Sequence, residues 1–142
     1  MRTIKFRAKA HRVNGDIWIY GDLRHHKGDV CIFKQEGNSG EQVNRETIGQ
    51  FTGMLDKHGK EIYEGDIVEV YDFTSVYARK YKGVVKMVHC SWVVEHVFYN
   101  SLSHQKLSFD DFAKQKTEII GNIYDNPDLI TFKIDTHKED EE

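Results

Sequence analysis

The chain of 142 residues has one proline, two cysteines and no apolar run near the ~20 residues that a membrane-spanning helix needs. Cys31 and Cys90 stand far apart in the chain, outside any pairing or zinc spacing. Neither Cys-x-x-Cys nor His-x-x-x-His occurs, and no glycine-rich loop has the form that cradles phosphate or a dinucleotide. A disulfide framework, a motif-borne metal centre and a P-loop nucleotide site are therefore not expected, and neither is any cofactor. The first residues, Met1-Arg2-Thr3-Ile4-Lys5-Phe6-Arg7, have no apolar core of a secretory signal. The expectation is a cytoplasmic protein with two reduced, buried thiols.

Charge is spread unevenly. The net value is −3, yet the last six residues hold four acids and one lysine, and without them the chain has 19 residues of each sign. The first twelve residues hold Arg2, Lys5, Arg7, Lys9 and Arg12 and no acid. The chain is thus basic at its start, acidic at its end and neutral between. The acidic stretch reads as a solvated, disordered tail.

Period-two alternation dominates the remainder. Ile4, Phe6, Ala8 and Ala10 alternate with Lys5, Arg7, Lys9 and His11, which predicts a half-buried first strand. Asn14-Gly15 predicts a type I′ turn leading into a strand over Asp16–Tyr20. Further strands are expected over Gly28–Lys34, Arg45–Gly53, Asp66–Phe73 and Glu118–Ile123, with a short extended run at Ile62-Tyr63. Gly83–Cys90 and Trp92–Tyr99 read as a hairpin turning near Ser91. Glu36–Gln42, Thr74–Lys82 and the polar stretch after Tyr99 read as loops. Helix is confined to single turns, one capped by Ser108 and one begun by Pro127. About nine short strands imply a mostly β protein, a small barrel or sandwich.

Three segments carry a resemblance. They are Ile4-Lys5-Phe6-Arg7-Ala8, the block Gln50–Val70, and Glu118–Leu129. Within the block stand Thr52-Gly53, Asp56-Lys57-His58-Gly59-Lys60-Glu61-Ile62-Tyr63 and Glu64-Gly65-Asp66-Ile67-Val68. In their order and spacing they resemble the YopX family of small phage and prophage proteins. After Ala8 the chain runs Lys9-Ala10-His11, where the family usually places an aromatic-acidic pair. The resemblance implies a β-rich α+β fold: an N-terminal β-hairpin subdomain over 1–45, an SH3-like barrel over 46–132, and a tail over 133–142. It implies a phage genome expressed inside a bacterium, and no reaction.

The signature residues read as architecture. Gly53, Gly59 and Gly65 stand where the chain must reverse, and Asp56 and Asp66 can accept from nearby backbone N–H groups. Tyr63 is expected to turn its ring to the barrel and its hydroxyl outward, and Gly121 within a strand suggests a bulge.

Of the eight histidines, His25-His26 and His89-Cys90 are sequence neighbours, which a strand points to opposite sides. Cys90 in an apolar strand would be inert, and Asp110-Asp111 fits a helix start better than acid–base work. An enzyme is not expected. Two binding classes are left. One is a module that binds a protein, phage or host, or a second copy of itself, with Trp18, Tyr20, Tyr77 and Tyr81 as contact aromatics. The other is nucleic-acid binding through Lys5, Arg7 and Lys9 on the first strand and Arg79, Lys80 and Lys82 near Gly83.

Overall fold

A computed structural model describes residues 2–34, 39–72, 79–98, 100–107 and 116–130. Contacts divide the chain into two units: Met1–Met54 with Glu61–Glu64, and Leu55–Lys60 with Gly65–Glu142. The strand that follows residue 45 hydrogen-bonds to the first strand of the chain, so pairing takes it into the N-terminal unit. The helical turn expected at Ser108 and the acidic tail lie outside the described residues.

The first unit holds β1 (Phe6–Ala10), β2 (Ile17–His26), β3 (Asp29–Phe33), β4 (Gly40–Gln42), β5 (Gly49–Leu55) up to Met54, and β6 (Glu61–Tyr63). They form one sheet in the order β4-β3-β2-β1-β5-β6. Alternation along β1 works as expected on one side: Ala8 and Ala10 are buried with Ile19, Val30, Ile32 and Val43, and Phe6, Leu23 and Ile48 close the cluster. Ile4, assigned to the same face, is exposed and precedes the strand.

Several expectations are corrected here. β2 is twice the expected length and runs through His25-His26, because the Lys27-Gly28 pair, not Tyr20, ends it. Both turn residues are left-handed (φ 50° and 85°), the geometry of a two-residue type I′ hairpin. At the earlier turn only Gly15 has positive φ, and its N–H donates to the Arg12 carbonyl, so the turn starts at Arg12 and is not type I′. Arg45–Thr47, expected as strand, is a 3-10 turn capped by the Asn44 side chain. Gly40–Gln42, expected as loop, pairs with Cys31–Phe33.

The second unit holds β7 (Asp66–Asp72), β8 (Arg79–Val88), β9 (Ser91–Phe98), β10 (Ser101–Lys106) and β11 (Thr117–Asn122). Its sheet has the order β10-β9-β8-β7-β11, antiparallel at every described pairing. Ile67, Val68, Val84, Val85, Val93 and Val94 are all buried, so the inner strands bury consecutive residues on both faces. The polar loop expected after Tyr99 is corrected to strand β10, and β8 begins at Arg79 rather than Gly83. Polar edge strands give almost no hydrophobic period, so only the partner strand reveals them.

The β8–β9 hairpin exists as expected, but His89-Cys90 is its turn, with φ of 47° and 65°. Cys90 is consequently exposed and Cys31 only half-buried, against the expectation of two buried thiols. The Gly121 bulge is present: pairing with β7 shifts register between Ile119 and Gly121. A Cβ at Gly121 would stand 2.6 Å from Asn126 Oδ1, so the close approach requires glycine as well. Pro127 opens a 3-10 turn over Pro127–Leu129, as expected.

Candidate binding groove on the first sheet

The signature block folds into a hairpin tip built around one carboxylate. Asp56 is 3% exposed; its Oδ1 accepts from the N–H groups of His58 and Lys60 at 2.9 Å each, and its Oδ2 accepts from Ile119 N–H at 3.1 Å. Lys57 N–H donates to the Thr117 carbonyl at 2.9 Å. Glu118 lies 3.1 Å from His58 Nε2 and 3.2 Å from Lys57 Nζ. These contacts hold its carboxyl below the usual range, His58 most and Lys57 next. Gly53, Gly59 and Gly65 have φ of 87°, 81° and 91°, and Asp66 is buried. The tip thus pins β11, which is an architectural task.

The ring of Tyr63 is buried within the first unit, 5.5 Å from the rings of Phe51 and Tyr20. Its hydroxyl points to Glu61 Oε1 at 3.4 Å. Burial first, then the Glu61 charge, pushes that hydroxyl far above its ordinary pKa.

The basic residues of β1 do not form an open cationic face. Arg7, directly across from Tyr20, is 6% exposed. Its guanidinium lies 4.6 Å from the Trp18 ring centre and 5.0 Å from that of Tyr63, and it donates to the Glu64 carbonyl at 3.5 Å. Lys5 is paired with Glu61 at 2.5 Å, and Lys9 Nζ stands 5.4 Å from the Trp18 ring. In the second unit Lys80 pairs with Glu69 at 2.7 Å, Lys82 is exposed, and the side chain of Arg79 lies outside what is described. The six residues are split between the two units, Lys5, Arg7 and Lys9 in one and Arg79, Lys80 and Lys82 in the other.

A groove of about 470 Å³ opens on the first unit, lined by Lys5, Ile17, Trp18, Ile19, Tyr20, Gly21 and Lys34. Ile17 and Tyr20 keep 42% and 46% of their surface exposed. Of the expected contact aromatics, Trp18 and Tyr20 therefore line it; Tyr81 is instead stacked on the buried His96 at 4.2 Å, and Tyr77 lies outside the described residues. Lys34 carried no signal in the sequence. It follows the last residue of a strand, and only the fold brings it to β2. Among the described residues no cluster of His, Cys, Asp and Glu has the geometry to hold a metal ion.

The segments that build these features lie within one continuous match. The YopX protein family matches residues 5–131, most of the chain. The chain belongs to the YopX family. No curated protein matches it. Among solved structures it is similar to protein EF1440 from Enterococcus faecalis, at 19% identity and a TM-score of 0.37 over 92% of this chain and all of that one. So loose a likeness is no basis for reasoning about site or shape. The groove, the Asp56 tip and the stacked Arg7 are the features from which a role must be argued. No helix among the described residues is long and apolar enough to cross a membrane.

Proposed function

We propose that this YopX protein is a non-enzymatic phage or prophage accessory protein of the host cytoplasm, acting by binding a protein partner or a second copy of itself. The observation that carries the reading is the groove. Exposed Ile17 and Tyr20 stand beside half-buried Trp18 at one site, where contact aromatics were expected. Aromatic and aliphatic side chains left at a concave surface are the usual anchors of protein contacts. The second unit is read as an SH3-like barrel. Its antiparallel meander of β7, β8, β9 and β10, with β11 returning beside β7, supports that topology.

The nucleic-acid alternative is less well supported. Arg7 is withdrawn beneath Trp18 and Tyr63, and Lys5 and Lys80 each hold a glutamate. The test is affinity capture of the tagged chain from phage-infected cells with and without nuclease. A stoichiometric protein band that survives nuclease is expected. Recovery of nucleic acid alone, or of proteins lost on nuclease treatment, overturns the reading in favour of the basic residues.

A further inference from the structure

Asparagine carries its own electrophile. The main-chain nitrogen of the next residue can attack its side-chain Cγ and close a five-membered ring. Whether it does so depends on how freely the two groups can meet. The chain has six asparagines, of which Asn38 lies outside the described residues.

The fold restrains most of the others. Asn44 Oδ1 accepts from Glu46 N–H at 3.1 Å, where it caps the 3-10 turn. Asn122 is held at both ends of its amide: Oδ1 accepts from the N–H groups of Tyr124 and Asp125, and Nδ2 donates to Asp125 Oδ2. Asn126 Oδ1 accepts from Asn122 N–H, and the residue after it is Pro127, whose nitrogen has no hydrogen to give up. Asn100 is exposed, but Ser101 after it brings a Cβ beside the nitrogen and pairs with Phe98 in the β9–β10 ladder.

Asn14 has none of these restraints. Every residue from His11 to Ile17 is exposed, and Val13 keeps 97% of its surface. Among the described residues, none bonds to the Asn14 side chain. The next residue is Gly15, at φ 113°, and a Cβ placed there would meet nothing within 4 Å. Glycine leaves the attacking nitrogen uncrowded and its backbone free to rotate. One bond opposes the attack: Gly15 N–H donates to the Arg12 carbonyl at 3.1 Å. It lies in an exposed turn, where local opening requires far less free energy than unfolding.

We infer that Asn14 is a site of spontaneous covalent modification, converted through ring closure with Gly15 into an aspartyl or isoaspartyl residue. The Gly15 nitrogen forms a bond to Asn14 Cγ and gives up its proton. The Cγ–Nδ2 bond breaks, and ammonia leaves with that proton. Water then opens the cyclic imide. Breaking the bond to Cγ restores the ordinary peptide link, whereas breaking the bond to the main-chain carbonyl carbon routes the chain through the side chain. Either way one amide becomes one carboxylate, one water is consumed, and no enzyme or oxidant takes part. The turn gains a negative charge two residues from Asp16 and two from Arg12, whose guanidinium pairs with Glu41. None of this depends on what the groove binds.

The test incubates the full chain in mildly alkaline buffer at body temperature, beside a sample unfolded in urea. Peptide mass mapping follows the conversion, and an isoaspartyl methyltransferase with a tritiated methyl donor labels the isoaspartyl product. In the folded chain the peptide holding Asn14 is expected to gain the mass difference between amide and acid before those holding Asn44, Asn100 or Asn122, and to take the label. Asn14→Gln keeps the amide but closes a larger ring far more slowly, so that peptide should lose the label. If Asn14 converts in urea and not in the folded chain, the bond to Arg12 holds the turn shut and the inference is overturned. It is overturned equally if neither sample changes, if Asn44, Asn100 or Asn122 converts first in the folded chain, or if the same peptide of Asn14→Gln takes as much label as the wild type.

Discussion

Asp56 and Arg7 show how far one side chain can organise its surroundings. Asp56 satisfies three backbone donors from a buried position, two in its own turn and one on β11. Hydrogen bonds to a charged acceptor contribute roughly 1.5–3 kcal/mol each, and a donor left buried without a partner costs more than one that water can reach. Asp56→Ala is therefore expected to lower stability by at least about 2 kcal/mol, with Asp56→Asn recovering part of the loss; urea unfolding decides it. Arg7 was read as a solvent-facing cation because strand alternation placed it opposite Ala8. The alternation was right. What the sequence did not reveal is that Trp18 and Tyr63 cover that second face. A planar guanidinium fits between two rings where an ammonium does not, so Arg7→Lys should cost about 1 kcal/mol and shift Trp18 fluorescence. Glu95 offers a pH test. It is 7% exposed, and the hydrogen bond from Lys86, followed by the charges of Lys86 and His104, holds its carboxyl below the ordinary 4.5. A carboxyl with a depressed folded-state pKa stabilises above its unfolded pKa, and that contribution is lost as pH falls through the folded value. The wild-type chain should thus lose stability on acidification below about pH 4.5, and Glu95→Gln should flatten that part of the curve. Denaturation midpoints taken from pH 7 to pH 3 settle the point, and parallel curves for the two chains would show that Glu95 plays no part.

At the level of elements, turns decided what could be read. Gly59, Gly65 and Gly121 announced their positions because each is required by the backbone or by a close contact. The His89-Cys90 turn gave no such sign. Neither residue is a preferred type I′ former, so the sequence placed the reversal nearer Ser91 while the strands fixed it one to two residues earlier. A non-glycine residue in left-handed geometry carries strain that glycine avoids. Cys90→Gly is expected to stabilise the chain by about 0.5–1 kcal/mol, read as a higher melting temperature, and no gain would mean the turn relaxes differently. Strand β10 was illegible for another reason. Of Ser101–Lys106 only Leu102 is a large apolar residue, and it is half exposed, so no alternation survives at this edge. The β2 groove was also beyond sequence reading. Its aromatic residues were nominated one by one, but Gly21 and Lys34 join them only through the pairing of β2 with β3, a matter of register and not of composition.

For the molecule as a whole, charge count and charge availability are different quantities. Six basic residues suggested a nucleic-acid contact, and each phosphate neutralised on duplex DNA adds roughly −0.9 to the slope of log affinity against log salt. Six would give a slope near −5.4. Yet Arg7 is buried between rings, Lys5 faces Glu61 and Lys80 faces Glu69, so a phosphate must displace an existing partner to use any of these three. A glutamate displaced from its lysine keeps its negative charge beside the duplex, so the exchange neutralises little net charge and releases few of the cations condensed on the phosphates. At most three residues of the set then contribute fully, and the slope should be no steeper than about −2.7. Fluorescence anisotropy with a labelled duplex between 50 and 200 mM salt, at roughly the range where such slopes are resolved, measures it directly. A slope near −5 would mean that the ion pairs of Lys5 and Lys80 open and Arg7 is drawn out on contact, and nucleic acid would then displace protein as the partner. A shallow slope, or no binding at all, leaves the groove beside Trp18 and Tyr20 as the surface from which a role is argued.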